Sequence, residues 1–196
     1  MKILALALLA AATLAHAAPE IGKPAPSFTL KDAAGKAVSL ADYKGKTVVL
    51  EWFNYECPFV QKHYNSSSMQ SLQKAATADG VVWLTIVSSA PGHAGYLKPD
   101  EAAAKEKELG MHSTALLGDA DGTVGHLYEA RTTPDMFVIN SDGVLVYSGA
   151  IDDRPDPDPA TLQGATNYVK NALAAVKAGT PVKPDETRSY GCGVKY

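Results

Sequence analysis

Along this chain, runs of mainly apolar residues alternate with segments in which apolar residues recur every three or four positions. Residues 47–53 and 81–88 form the two longest runs after residue 20, and such runs are typical of strands covered on both faces. Shorter runs predict further strands, and the amphipathic segments between them predict helices. The predicted strands are 27–30, 37–40, 47–53, 81–88, 115–117, 134–139 and 144–149, and the predicted helices lie near 58–78, 99–110, 122–130 and 160–177.

Strands that alternate with helices and then close with a hairpin predict an α/β fold. We expect a three-layer sandwich with a central mixed β-sheet flanked by helices. The chain has no internal repeat or second apolar core, so we expect one domain over residues 18–178. Residues 179–196 begin with turn-forming residues and are predicted to be a C-terminal tail.

The first 18 residues have a different pattern. Lys2 precedes an apolar stretch over residues 3–14, and Ala15-His16-Ala17 follows. A positive charge, a short apolar core and an Ala-x-Ala step are typical of a secretory signal peptide, which we assign to residues 1–17. The apolar stretch is too short to span a bilayer. We therefore expect an exported protein, in the bacterial periplasm, with no membrane span after cleavage.

The charge of the chain mainly excludes classes of partner. The net charge is −3, and the chain has no basic run, which argues against nucleic acid as a partner. The chain has two cysteines, Cys57 and Cys192. In an oxidising compartment they can pair with each other, within or between chains, or with a partner protein.

Cys57 is the strongest candidate for chemistry because it follows a predicted buried strand and precedes a predicted helix that begins at Pro58. Unpaired backbone N–H groups and the positive end of the helix dipole stabilise a thiolate at such a position. The alternative is a small apolar residue that ends a core strand.

Four segments, in this order, resemble the thioredoxin superfamily over about residues 21–178. They are APSFTL with GKTVVL (25–30 and 45–50), Cys57 at the strand-to-helix turn, TTPDMFVI (132–139) and DGVLVYSG (142–149). The segments EWF (51–53), CPFVQKHY (57–64), GAIDD (149–153) and YGCGVKY (190–196) resemble a peroxiredoxin-like group of exported proteins with AhpC/TSA or redoxin domains.

The resemblance implies a thiol oxidoreductase without a cofactor, in which Cys57 is the nucleophile. It implies a cis bond between Thr133 and Pro134, beside the active sulfur, and a buried acid at Glu51 that moves protons. For Glu51 the alternative is an acid at a strand edge, bonded to the backbone. Cys192 is the candidate resolving cysteine, which would form a disulfide with oxidised Cys57; the alternatives are a structural bridge or a free thiol.

The chain departs from both family patterns. Val60 replaces the second cysteine of a Cys-x-x-Cys pair, and Leu50, Asn54 and Pro134 replace the residues with which peroxiredoxins bind peroxide. Asn54 can still donate a hydrogen bond, and Pro58 matches many peroxiredoxins. We therefore favour thiol–disulfide exchange with a thiol reductant or a disulfide-bearing protein over peroxide as substrate.

A second class of function is a non-enzymatic metal carrier or binding protein. His93, His112 and His126 are its candidate ligands, but Gln61 occupies the position at which such carriers need a second cysteine. We therefore predict no metal site. The sequence leaves the oligomeric state open.

Overall fold

The computed structural model describes residues 19–196. The predicted signal peptide, residues 1–17, and the first residue of the predicted domain lie outside the described residues. Within residues 19–196, no helix is long and apolar enough to cross a membrane.

The central feature is a seven-stranded mixed sheet with the order β2-β1-β5-β4-β3-β7-β8. Strands β3, β4 and β5 run parallel to their neighbours in that group, and the pairs β1–β2, β1–β5, β3–β7 and β7–β8 are antiparallel. The strands are β1 Thr29–Asp32, β2 Ala37–Ser39, β3 Val48–Trp52, β4 Val82–Val87, β5 Ala115–Gly118, β6 Thr132–Thr133, β7 Asp135–Ile139, β8 Leu145–Gly149 and β9 Cys192–Gly193.

Helices cover both faces of the sheet. They are α1 Pro58–Asn65, α2 Ser68–Ala78, α3 Pro99–Glu108, α4 Thr123–Leu127 and α5 Tyr168–Ala178, with short 3-10 helices at Leu40–Tyr43 and Pro159–Leu162. Residues of α1, α2, α3 and α5 pack in one apolar layer with Val49, Phe53 and Cys57. Residues of α4 pack in the other layer with Leu50 and Trp52. The predicted three-layer α/β sandwich is confirmed.

The continuous apolar runs became the central strands because both of their faces are covered. Every residue of β3 and β4 is buried, and β3 lies between β4 and β7. Alternate residues of β3 therefore face the two layers, which places Glu51 in the same layer as Cys57.

Two predicted helices are wrong in extent. The helix predicted over 58–78 is broken at Ser66 and Ser67, where Ser67 has a φ of 61°. The Ser66 hydroxyl donates to the His63 carbonyl at 3.1 Å, an example of serine competing with the backbone ladder. The helix predicted from residue 160 starts only at Tyr168. Gly164 has a positive φ, and Asn167 caps the helix by accepting from the Lys170 amide at 2.8 Å.

Candidate active site

Cys57 is the last residue of the segment that connects β3 to α1. It is the N-cap of α1, and Pro58 is the first helical residue. The Cys57 carbonyl accepts hydrogen bonds from the amides of Val60 and Gln61, both at 2.9 Å. The Cys57 side chain is 1% exposed, while Pro58 beside it lies at the surface. The local sequence thus places a buried sulfur at the positive end of a helix.

Residues 179–196, called the arm from here on, bring Cys192 to this sulfur. The arm runs beside β8, where the Thr187 amide donates to the Ser148 carbonyl at 3.0 Å. It then forms β9, which pairs antiparallel with β6 so that Cys192 lies opposite Thr133. The tail predicted from sequence is therefore docked on the domain over its whole second half.

Gly191 allows the close approach of the arm to the domain. Its φ is 135°, and a Cβ atom there would overlap the Thr133 carbonyl oxygen. Past Cys192, the Tyr196 ring stacks on His126 with centroids 3.9 Å apart, and its hydroxyl donates to the Ala130 carbonyl at 2.7 Å. An aromatic side chain therefore anchors the arm on the far side of Cys192.

Cys192 lies beside Cys57 across the β6–β9 pair, and both cysteines are free thiols. Burial raises the pKa of the Cys57 thiol, but hydrogen bonds from the Cys192 thiol, the Thr133 side chain and the amides of Cys192 and Val60 outweigh it and hold the pKa below its usual range. Burial and the neighbouring Cys57 raise the pKa of Cys192 to about 11. On deprotonation of the pair, the negative charge therefore belongs on Cys57 and the proton on Cys192.

Thr133 and Pro134 flank the sulfur of Cys57, and the bond between them is cis, as the resemblance implies. The Thr133 carbonyl accepts a hydrogen bond from the Cys57 thiol at 3.0 Å. The Thr133 hydroxyl donates to the Cys192 carbonyl at 3.4 Å. One residue thus contacts both cysteines.

Asn54 is buried and holds the loop beside the site. Its amide donates to the Ala94 carbonyl at 3.1 Å, and its oxygen accepts from the Glu56 amide at 2.9 Å. Gly95 lies so close that a Cβ atom there would overlap the Asn54 side chain. The Asn54 side chain is therefore engaged with the protein's own backbone.

Glu51 is fully buried in the middle of the sheet, so the strand-edge alternative is wrong. It accepts four side-chain hydrogen bonds, from the Tyr64 hydroxyl at 2.9 Å, the Gln73 amide at 3.1 Å, the Trp83 indole at 2.7 Å and the Thr85 hydroxyl at 3.1 Å. Burial raises the pKa of Glu51 against the opposing effect of these donors. Its hydrogen bonds join β3, α1, α2 and β4 beneath the turn that carries Cys57.

A second buried polar cluster, which the sequence did not predict, lies beside α1. Lys62 is 1% exposed and Asp152 is 2% exposed, with Lys62 Nζ 3.7 Å from Asp152 Oδ2. Tyr190, two residues before Cys192, donates its hydroxyl hydrogen bond to Asp152 Oδ1. His63 is also buried, and its Nε2 atom lies 3.8 Å from Asp152 Oδ2. No local signal marked Lys62, because it lies about 200° around the helix from Val60 and so falls outside the apolar stripe.

The candidate metal ligands do not come together. His93, His112 and His126 are all exposed, and residues 19–196 contain no group of three or more His, Cys, Asp or Glu side chains placed to hold a metal ion.

Comparison with known proteins gives a family match. The model of the AhpC/TSA family matches residues 21–148, which include Cys57, Thr133 and Pro134. Asp152 and the arm lie beyond the matched range.

Two curated relatives are named as redox enzymes. The thiol-disulfide oxidoreductase ResA of Bacillus subtilis is 26% identical over 125 residues, which are 64% of this chain and 64% of ResA. Peroxiredoxin tpx1 of Schizosaccharomyces pombe is 30% identical over 135 residues, which are 64% of this chain and 69% of that protein. The chain thus spans 64% to 69% of the length of these two relatives.

Solved structures of the same fold were also found. A crystal structure of an uncharacterized conserved protein from Geobacillus kaustophilus has a TM-score of 0.78 at 28% identity, covering 90% of this chain and 92% of that one. The thioredoxin domain of a thiol-disulfide oxidoreductase from Bacteroides vulgatus has a TM-score of 0.53 at 20% identity, covering 74% and 96%. The second likeness identifies the thioredoxin fold.

Proposed function

The chain belongs to the AhpC/TSA family, a group of thioredoxin-like oxidoreductases, and from that premise we propose that it catalyses thiol–disulfide exchange with Cys57 as nucleophile and Cys192 as resolving cysteine. The observation that carries this proposal is the pairing of β6 with β9, which sets Cys192 opposite Thr133, the residue whose carbonyl accepts from the Cys57 thiol, within a single chain. A thiol in contact with the nucleophile needs no second cysteine in α1.

The reaction uses the two thiols in turn. The Cys57 thiolate attacks one sulfur of a substrate disulfide, forms a mixed disulfide and releases the first substrate thiolate. Cys192 then loses its proton and attacks the Cys57 sulfur, which forms the Cys57–Cys192 bond and releases the second substrate thiolate. The substrate gains two electrons and the protein loses two, so an external dithiol must reduce the protein for the next cycle.

The arm controls access to the nucleophile. Because Cys57 is buried beneath the arm, a substrate disulfide reaches its sulfur only when the arm moves away. The arm must then return before Cys192 can attack the mixed disulfide. In this structure, which has both thiols free, Cys192 is the more exposed of the two cysteines, and Cys57 is the better leaving group because its pKa is lower. We therefore expect the external thiol to attack Cys192.

The remaining candidate residues have supporting roles in this proposal. Pro58 and Asn54 shape the turn beside the sulfur, and Thr133 and Pro134 form the surface against which the substrate sulfur lies. The role of Glu51 in proton transfer stays a prediction, since its four hydrogen bonds go to other residues. Comparing the pH–rate profile of Glu51→Gln with that of the wild type tests it.

Single-cysteine variants test the main proposal. Reduced wild-type protein, Cys57→Ser and Cys192→Ser are each mixed with oxidised glutathione, and the products are mapped by mass spectrometry of non-reduced peptides. We expect a Cys57–Cys192 bond within one chain in the wild type, a stable glutathione adduct on Cys57 in Cys192→Ser, and slow reaction in Cys57→Ser. Non-reducing gels distinguish a bond within the chain from one between chains.

The proposal fails if wild-type protein keeps both thiols free, or if Cys57 in Cys192→Ser reacts no faster than Cys192 does in Cys57→Ser. A bridge that forms between chains instead would retain the chemistry and reject the role of the arm as an intramolecular partner.

A peroxidase is the second candidate function, favoured by the 30% identity to peroxiredoxin tpx1. Cys57 thiolate would reduce hydrogen peroxide to water and become a sulfenic acid, and Cys192 would convert it to the same disulfide with loss of water. The engaged side chain of Asn54 argues against fast peroxide binding. Stoichiometric sulfenic acid formation on Cys57 in Cys192→Ser at micromolar peroxide would reverse the order of the two candidates.

Export is proposed on the sequence of residues 1–17. In an oxidising compartment the partners would be a disulfide-bearing protein as substrate and a thiol reductant that restores the two cysteines. Mass determination of the protein purified from the periplasm, with Ala18 as the expected first residue, tests the cleavage.

A further inference from the structure

Among the side chains of the arm that pack against the domain, Tyr190 reaches a buried ion pair close to Cys192. Tyr190 is half-buried and lies two residues before Cys192 in the sequence. Its ring packs edge-on against Phe59 of α1, with centroids 5.8 Å apart. Its hydroxyl donates to Asp152 Oδ1. The same carboxylate oxygen accepts from the Arg154 amide at 2.9 Å.

Lys62 of α1 completes the arrangement. Its Nζ donates to the Arg154 carbonyl at 2.6 Å and to the Tyr190 hydroxyl at 3.4 Å, and it lies 5.3 Å from the centroid of the Tyr190 ring. Lys62 and Asp152 are both buried, so the ion pair between them has little screening from solvent. The tyrosine hydroxyl is thus placed between a buried cation and a buried anion.

This cluster differs from an ordinary core ion pair because one member belongs to the arm. When the arm lifts, Lys62 and Asp152 remain on the domain, and both lose the hydrogen bond that the Tyr190 hydroxyl makes with them. Hydrogen bonds to charged groups are stronger than those between neutral groups, and leaving such a group unpaired is costly. The cluster therefore favours the docked arm specifically.

We propose that Lys62, Asp152 and Tyr190 form a latch that sets how often the arm opens over Cys57. The three are positioning residues that act through Cys192 and the arm. The latch keeps Cys57 covered between reactions and returns Cys192 to the mixed disulfide after a substrate has entered. This inference extends the proposed function to its regulation and rests on it for the second role, while the first role concerns the reduced protein alone.

Tyr190→Phe tests the latch with the smallest change, since it removes the hydroxyl and keeps the ring that packs on Phe59. In reduced protein we expect Cys57 to be alkylated by iodoacetamide about ten-fold faster than in the wild type, because opening of the arm becomes more frequent. The increase should depend only weakly on urea, as expected for a local opening that exposes little surface. Tyr43→Phe, a half-buried tyrosine in the opposite apolar layer, is the matched control and should leave the rate unchanged.

Reaction with oxidised glutathione provides the second measurement. In Tyr190→Phe, attack by Cys57 should be faster and the mixed disulfide should persist longer, because Cys192 returns more slowly. A purely structural role of Tyr190 would not move the two steps in opposite directions. Asp152→Asn removes the charge from the group that accepts the Tyr190 hydrogen bond and should give the same pattern. The double variant should add little to either single change, because both changes weaken the same contact.

An unchanged alkylation rate in Tyr190→Phe would overturn the latch. So would an increase with the steep urea dependence of global unfolding. A wild-type protein that forms no Cys57–Cys192 bond would refute the proposed function, yet the alkylation of reduced protein would still decide whether the latch exists.

Discussion

The two buried carboxylates near α1 are held in different ways. Glu51 receives four hydrogen bonds, all from side chains of the domain itself, and both of its oxygens are paired. Asp152 receives one side-chain hydrogen bond, which comes from Tyr190 of the arm. Its second oxygen faces Lys62 and His63 without a hydrogen bond.

This difference separates a permanent part of the core from a contact that can open. The partners of Glu51 lie on α1, α2 and β4, so losing them means unfolding the domain. The main side-chain partner of Asp152 lies on the arm, which is joined to the domain by β9 and by separate hydrogen bonds of Thr187, Val194 and Tyr196. In the proposed latch, a buried carboxyl group therefore stabilises the fold at one site and couples the fold to the arm at the other.

Removing Glu51 should give the largest effect of any change considered. Glu51→Ala leaves the donors of Tyr64, Gln73, Trp83 and Thr85 without their acceptor and opens a cavity, so we expect a loss of about 3–5 kcal/mol in the free energy of unfolding. Urea denaturation followed by tryptophan fluorescence measures it. Glu108→Ala, on the exposed end of α3, is the control and should change stability little. A loss below about 1 kcal/mol for Glu51→Ala would show that the network contributes little net stability.

Gly191→Ala should disrupt the docking of the arm on the domain without removing a polar side chain. A side chain at this position is strained by the positive φ and overlaps the Thr133 carbonyl. We therefore expect β9 to leave β6 and formation of the Cys57–Cys192 bond to slow by about ten-fold or more. Quenched-flow alkylation of the remaining thiols measures the rate.

Gly193→Ala is the matched control in the same strand. A Cβ atom at residue 193 would meet only the Arg131 carbonyl, at 3.9 Å, which is ordinary contact. Equal rates for the two variants would mean that docking of β9 does not control closure of the disulfide.

The sequence predicted the layers of the fold and the place of the nucleophile because both signals are local. The apolar runs at 47–53 and 81–88 predict strands that are buried on both faces, which are the central strands of a sheet. The position of Cys57 as a candidate nucleophile follows from the strand before it and the helix after it. The breaks in the two long helices were not predicted. They depend on whether a serine hydroxyl bonds to its own backbone and on which residue caps the helix, and apolar periodicity does not report either.

The latch was not predicted because its members are far apart in the chain. Lys62 and Tyr190 are separated by 128 positions, and no spacing rule relates them. The segments that contain Lys62, Asp152 and Tyr190 were singled out only by resemblance. Cys192 was identified as the partner of Cys57 because the chain has just two thiols, whereas the register of β6 with β9 that joins them required the structure.

His63, which lies beside Asp152, should make the free energy of unfolding depend on pH in the acid range. Burial lowers the pKa of His63 to about 4, while its ordinary value is near 6.5, so between these values the unfolded chain binds more protons than the folded one. The free energy of unfolding should therefore fall as the pH falls from about 6.5 to about 4, by about 1–3 kcal/mol from this group. The difference in stability between the wild type and His63→Gln, measured by urea denaturation at several pH values, isolates it.

Asp135 provides a control of opposite sign. Burial raises the pKa of Asp135 to about 6, so its contribution to stability falls as the pH rises from about 4 to about 6. The difference between the wild type and Asp135→Asn should therefore change in the opposite direction. A difference between the wild type and His63→Gln that does not vary with pH would mean that His63 titrates alike in the folded and unfolded chains.

The smallest expected effect concerns the charge on Cys57 itself. The Cys192 thiol is the strongest of the groups that lower the pKa of Cys57 against the effect of burial. Cys192→Ala removes that donor and should raise the pKa of Cys57, whereas Cys192→Ser keeps a hydroxyl donor and should raise it less. Thiolate absorbance at 240 nm, titrated with pH in the reduced proteins, measures all three values. If the three proteins titrate alike, the backbone amides of residues 60 and 192 hold the thiolate, and the arm contributes its main chain rather than its sulfur.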